Sequence, residues 1–166
     1  LLPSGGVKLF VGVADVDAIV KIGQPIDAHA KKNTTSIYTG VRLFPMLPEK
    51  LSTNLTSLSE NETRIALVVE MVVDPNGEVS ESKVYRAQVR NQAKLAYNSV
   101  AAWLDGKEEL PVPARKAKGM DEQLRIQDRF AQKMRKIRHK HGALELETIE
   151  PRAVMKDGHV VDMKHD

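Results

Sequence analysis

Cysteine is absent from the chain, so it can hold neither a disulfide framework nor a Cys-ligated zinc site, and a reducing compartment suits it. No apolar run approaches the roughly 18 to 20 residues that span a bilayer, and no charged-then-apolar signal segment opens the sequence. A cytoplasmic protein without a membrane partner is therefore expected. Gly-rich phosphate loops of the Walker or dinucleotide type are missing too, and Gly5-Gly6 reads as a turn before a strand. Ser36, Ser52 and Ser57 have no adjacent histidine pattern of a hydrolase triad. His139, His141, His159 and His165 lack metal-ligand spacing and read as surface histidines. Internal repeats and low-complexity tracts are also missing.

What is present suits one domain with a real core: 166 residues, 42% of them hydrophobic. Residues 7–13 are apolar and β-rich, and Gly23-Gln24-Pro25 opens a helix through 26–30 with proline in its first turn. Two β-rich runs, 65–73 and 78–89, flank Asp74-Pro75-Asn76-Gly77, whose Asn-Gly predicts a hairpin. A helix is predicted over 91–104, with Ala93, Tyr97, Val100, Ala101 and Leu104 on one side and Gly106 to stop it. Residues 105–120, with Pro111 and Pro113, form an internal connector to a second helix over 121–141. Leu124, Gln127, Phe130, Met134 and Ile137 give that helix a stripe suited to core packing. Residues 153–156 and 159–163 around Asp157-Gly158 predict a last hairpin. The expected fold class is α+β, a mostly antiparallel sheet with flanking helices.

Charge is unevenly spread. Between 114 and 140 ten Lys or Arg face Asp121, Glu122 and Asp128, a local balance of +7 within a chain of net +3, so the remainder carries −4. Such a segment either faces a polyanion, since Lys and Arg that neutralise phosphates supply most sequence-independent nucleic-acid affinity, or forms a solvated helix face.

The most informative stretch is irregular. Ile37-Tyr38-Thr39-Gly40, Phe44-Pro45-Met46-Leu47-Pro48, Leu51-Ser52, Leu55-Thr56-Ser57-Leu58 and Glu62-Thr63-Arg64 alternate turn formers with apolar anchors at no helical or strand period. That pattern marks an ordered loop, and ordered loops on rigid scaffolds carry function. In order and spacing the stretch resembles the catalytic RNB domain of the ribonuclease II and ribonuclease R family, which degrades single-stranded RNA from the 3′ end. Residues 8–15 look like the family's strand ending in Ile-Ala-Asp, and residues 26–30 like its next helix. Residues 93–97, Ala-Lys-Leu-Ala-Tyr, are similar to its Ala-Lys-Leu-Thr-Tyr, and Gly142-Ala143-Leu144 to its Gly-Ala-Leu.

The resemblance implies roles for particular residues. Tyr38 corresponds to the tyrosine that stacks on bases near the RNA 3′ end and fixes where digestion stops, a task suited to an aromatic face because every base offers a π surface. Tyr97 matches another active-site tyrosine, while its helical stripe equally suits a core tyrosine bonded through its hydroxyl. Leu146 stands where some members place a phenylalanine that sandwiches the terminal bases. Arg64 matches an arginine after the Ser-Leu loop; it and Arg90 either contact phosphate or fix a loop or sheet edge. The family hydrolyses phosphodiesters with Mg²⁺ held by an Asp cluster just upstream of the strand matched by residues 8–15. The sequence opens at Leu1-Leu2-Pro3, past that motif, so a piece of a longer protein that lacks the catalytic ligands is expected. Asp15 and Asp17 are the nearest acids; two carboxylates at i and i+2 bind a metal, cap the following turn or face solvent.

The resulting expectation is part of a Mg²⁺-dependent 3′ to 5′ exoribonuclease acting on single-stranded RNA and releasing 5′ nucleoside monophosphates. This chain would supply part of the RNA-binding side, be inactive alone, and work beside flanking oligonucleotide-binding domains. The alternatives are a non-catalytic RNA-binding or regulatory module on the same scaffold, and a structural domain whose basic helix docks a protein.

Overall fold

In the computed structural model, residues 1–39, 42–144, 151–157 and 159–165 are described. Strand β1 (Val7–Ala14) leads through a 3₁₀ turn (Val16–Ala18) to helix α1 (Pro25–Asn33). The short strands β2 (Ile37–Tyr38) and β3 (Leu43–Phe44) precede a π-helical turn (Lys50–Leu55). Then come β4 (Thr63–Val73), β5 (Val79–Arg90), α2 (Tyr97–Leu104), α3 (Val112–Lys116), α4 (Met120–Lys140), β6 (Pro151–Lys156) and β7 (His159–His165). Mixed helix and strand around antiparallel pairs is the expected class.

The main sheet has the order β1-β4-β5, both pairings antiparallel. β4, Thr-Arg-Ile-Ala-Leu-Val-Val-Glu-Met-Val-Val, is rich in β-branched residues that fit a pleated, covered surface, and it takes the centre. Ala66, Val68, Glu70 and Val73 are all buried on it. β5 is an edge strand and alternates exposed polar residues with half-buried Tyr85, Ala87 and Val89, the period of two that one covered face demands.

The hairpin between β4 and β5 is organised by an aspartate. Asp74 Oδ1 accepts from the backbone N–H of Asn76, Gly77 and Glu78 at 2.8, 2.8 and 2.9 Å, while the Asp74 N–H donates to the Glu78 carbonyl at 2.9 Å. Gly77 closes the turn at φ +105°, and a Cβ there would lie 2.7 Å from Cβ of Lys133. The position therefore requires glycine twice, for its backbone angle and for the helix pressed against it.

That helix is α4. Phe130 is buried with Val7 and Val73, and Leu9, Met71, Ile126 and Met134 pack around them. The predicted core stripe needs one correction: Ile126 fills the place assigned to Gln127, which is exposed. Asp121 and Glu122 lie in the first turn of α4 and Arg138, His139 and Lys140 in the last, each end complementing the helix dipole. Gly142, at φ +86°, ends the helix with the N–H of Ala143 on Arg138 O and its own on His139 O, a Schellman pair. Gly106 stops α2 the same way, through Lys107 N–H to Ala102 O and Gly106 N–H to Trp103 O.

Helix α2 is shorter than predicted, starting at Tyr97 and not at 91. Asn91 Oδ1 takes the N–H of Ala93 at 3.1 Å and Glu60 takes that of Lys94 at 2.9 Å, so these residues are held extended by side-chain acceptors. Residues 105–120 contain α3, whose Ala114 is 1% exposed. Among the described residues no helix is long and apolar enough to cross a membrane.

Candidate functional site

The irregular stretch after α1 is held by a chain of hydrogen bonds. Asn33 of α1 donates to the Met46 carbonyl at 3.0 Å, and the Met46 N–H donates to Ser36 Oγ at 2.9 Å. Ile37 pairs with Phe44 and Tyr38 with Leu43. Leu47 and Leu51 are the buried anchors, 6% exposed each. The π-helical turn forms because the Thr56 N–H and hydroxyl both reach Leu51 O, five residues back, at 3.1 and 2.8 Å. Turns of this kind are frequent at functional sites.

The far end of the stretch is tied to the segment before α2. Asn91 Nδ2 donates to Leu58 O at 2.9 Å, and the Asn61 N–H donates to Asn91 O at 2.8 Å. Arg64 joins the middle: its guanidinium donates to Asn54 Oδ1 at 3.2 Å, to Glu62 at 3.1 Å and to the Thr63 carbonyl at 3.1 Å. Of the two roles open to Arg64, fixing the loop is the one its hydrogen bonds perform. Arg90 is exposed, opposite Thr63 at the end of β5.

On this braced backbone the two tyrosines stand out in solvent. Tyr38 is 80% exposed and Tyr97 96% exposed. The core alternative for Tyr97 is thereby corrected: with α2 beginning at that residue, its ring leaves the helical stripe and lies outside the packing. Exposed Leu43 pairs with Tyr38, while exposed Ile37 and Phe44 pair on the opposite face of the two strands, with the Arg42 guanidinium 5.1 Å from the Phe44 ring centroid. A cleft of about 730 Å³ opens beside the segment leading to Tyr97, lined among others by Phe10, Val68, Tyr85, Asn91, Gln92 and Gln127. Leu146 lies outside the described residues.

Asp15 and Asp17 are engaged with an arginine that the sequence reading missed. The buried Asp15 carboxylate accepts from the Ala18 N–H at 3.1 Å, capping the 3₁₀ turn, and from Nε of Arg86. Arg86 Nη2 also reaches Asp17 at 3.3 Å, and Lys21 reaches Asp17 at 3.6 Å. The Arg86 guanidinium holds the Asp15 carboxyl below the usual carboxylate range. Register explains the meeting: Arg86 lies opposite Leu67, which faces Val13 across β4. Nothing local signals a pair 71 residues apart. Among the described residues no three or more His, Cys, Asp or Glu gather in a way that could hold a metal ion.

A second cluster was also missed. Glu70, 7% exposed, receives Lys8 at 3.1 Å, Lys83 at 3.2 Å and the Tyr85 hydroxyl at 2.8 Å. The Tyr85 bond above all, with the two ammonium groups, holds its carboxyl low, and the same bond raises the Tyr85 hydroxyl. Its one sequence signal is a lone acid amid the apolar residues of β4. The cluster is a satisfied structural network.

Comparison with known proteins supplies the family context. The RNB domain family profile matches residues 1–166. Ribonuclease R of Aquifex aeolicus is 32% identical over 157 residues, 95% of this chain and 22% of that protein. Exoribonuclease 2 of Mannheimia succiniciproducens is 38% identical over 161 residues, 96% of this chain and 24% of that protein. Among solved structures, Mycoplasma genitalium RNase R in complex with double-stranded RNA superposes with a TM-score of 0.85 at 29% identity, covering 99% of this chain and 28% of that one. The same enzyme with ribose methylated single-stranded RNA gives a TM-score of 0.85 over 25% of its chain. The chain spans about a quarter or less of the length of the relatives it matches.

Proposed function

The chain belongs to the RNB domain family, and from that premise we propose that it forms the RNA-holding part of a 3′ to 5′ exoribonuclease catalytic domain. The observation that carries the reading is the pair of solvent-facing tyrosines, Tyr38 and Tyr97, on backbone braced from α1 to α2. Bracing lowers the ordering cost of binding, so a base stacking on either ring gains nearly the full aromatic contact. Tyr38 receives a base near the 3′ end; Tyr97 faces the strand from the start of α2. Arg64 acts as a positioning residue, since its donors hold Asn54, Glu62 and Thr63 in the loop that carries the site.

Mg²⁺ is proposed as the cofactor of the complete catalytic domain. The described residues do not fit it: Asp15 and Asp17 are neutralised by Arg86, and no other carboxylate group gathers nearby. The contribution of this chain is therefore to bind and orient single-stranded RNA, with flanking oligonucleotide-binding domains as proposed co-workers in a cytoplasmic enzyme.

The test uses 5′-labelled single-stranded RNA. The complete catalytic domain that contains this chain is expected to shorten it with Mg²⁺ and leave it intact with EDTA, whereas this chain alone is expected to leave it intact. Tyr38→Ala and Tyr97→Ala are each expected to weaken RNA binding by about 1–3 kcal/mol. Binding that persists without any shortening would replace the enzyme by an RNA-binding module, and tyrosine variants that bind as tightly as the parent would remove the stacking site.

A further inference from the structure

Helix α4 carries Arg125, Arg129, Lys133, Lys136 and Lys140 at intervals of four, four, three and four residues. That spacing puts the five on a single ridge, which at 1.5 Å rise per residue runs roughly 22 Å. It lies immediately beside the buried stripe of Ile126, Phe130 and Met134, so the helix cannot roll it away without leaving the core. Glu122 stands before its first member, Asp128 flanks it three residues after Arg125 and accepts from Gln132, and no acid follows on the helix after Asp128.

The charges of this ridge have no acidic partner among the described residues. Among the described residues none of the five forms a salt bridge, although Lys8, Lys21, Arg64, Lys83, Arg86, Lys107 and Arg115 all do. Arg125 lies 4.4 Å over the Trp103 ring centroid and Arg129 5.6 Å from that of Phe130, contacts that orient a cation and keep its charge. Lys133 is half-buried and donates to Pro75 O at the hairpin, which makes it the structural member. The other four are exposed. Helix-dipole complementarity accounts for Lys140 in the last turn, but not for Arg125 and Arg129 in the first half. Like charges three and four residues apart repel, so the arrangement costs the isolated helix stability that an anionic partner would return.

We infer that Arg125, Arg129, Lys136 and Lys140 form a backbone track for RNA, reading phosphates and not bases, separate from the tyrosine loop. The inference rests on the reading that this chain holds RNA. Cations spaced along about 22 Å can each meet a different phosphate, and each contact releases condensed counterions.

The experiment is fluorescence anisotropy of labelled single-stranded RNA with the full polypeptide across a salt series. The triple variant Arg129→Gln, Lys136→Gln, Lys140→Gln is expected to keep its thermal transition, to lower the slope of log K against log salt by about 2, and to bind ~10- to 100-fold more weakly at 0.1 M salt. The control Lys21→Gln, Lys107→Gln, Arg115→Gln removes as many cations from existing ion pairs and is expected to leave the slope unchanged. Tyr38→Ala is expected to lose affinity at an unchanged slope. A normal slope in the ridge variant, or the same loss in both triples, would overturn the track while the Tyr38→Ala result still supports the tyrosine site. A parent that binds no RNA would sink the underlying reading and the track with it. Competition by polyglutamate as strong as by RNA would assign the ridge to an acidic protein surface and overturn the proposal.

Discussion

Within the sheet Glu70 sits between Lys8 and Lys83, and Arg86 reaches across β4 to Asp15 and Asp17. Along α4, by contrast, Arg125 and Arg129 meet aromatic rings and Lys133 a backbone carbonyl. The difference follows from burial. A carboxylate as covered as Glu70 or Asp15 loses hydration that opposite charge must replace, whereas a side chain at the rim of a helix keeps its water and needs no partner to fold. Charges of the first kind hold the molecule together; those of the second remain available to something outside it.

The most damaging way to break the contrast is to detach the helix. Phe130→Ala empties the contact with Val7 and Val73 and is expected to cost about 3–5 kcal/mol, read as a lower urea midpoint at unchanged slope. An effect under about 1 kcal/mol would mean that α4 is not anchored there. Next in size, Gly77→Ala forces a Cβ against Lys133 at a positive φ and is expected to cost about 2 kcal/mol in the same measurement. Ala at this position without loss would show that the turn and helix stand further apart.

The smallest effect separates the two kinds of charge by pH. Asp15, Glu70 and Asp74 have native carboxyls held below their ordinary values, Asp15 chiefly by Arg86, Glu70 by Tyr85 and Asp74 by the Glu78 N–H. The unfolded chain then binds more protons than the native one as pH falls through about 4, so their stabilisation is full above that point and is lost as pH drops through the native values. A thermal midpoint that falls between about pH 5 and 3 is expected. Glu70→Gln should flatten that fall, because its amide does not titrate. Lys136→Gln should leave the profile unchanged, because no acid in the described structure depends on it. An altered acid limb in the lysine variant would show that the ridge is paired after all.

Much of this was legible before the structure because its causes are local. Gly106 was placed as a helix stop by the left-handed angle a C-terminal cap requires, and the hairpin at Gly77 by the same conformational demand. The α4 stripe was readable from its period, with Ile126 taking the place given to Gln127 because helix phase sets a stripe only to within a neighbouring residue. The irregular loop was visible as a loss of period. What stayed hidden depends on groups distant in sequence. Tyr97 faces solvent because Glu60 and Asn91 hold the residues before it extended. Asp15 is a capped, neutralised acid because antiparallel register brings Arg86 across two strands. Periodicity and capping act over a few residues and are written in order along the chain, whereas partners joined by strand register are chosen only when the sheet closes.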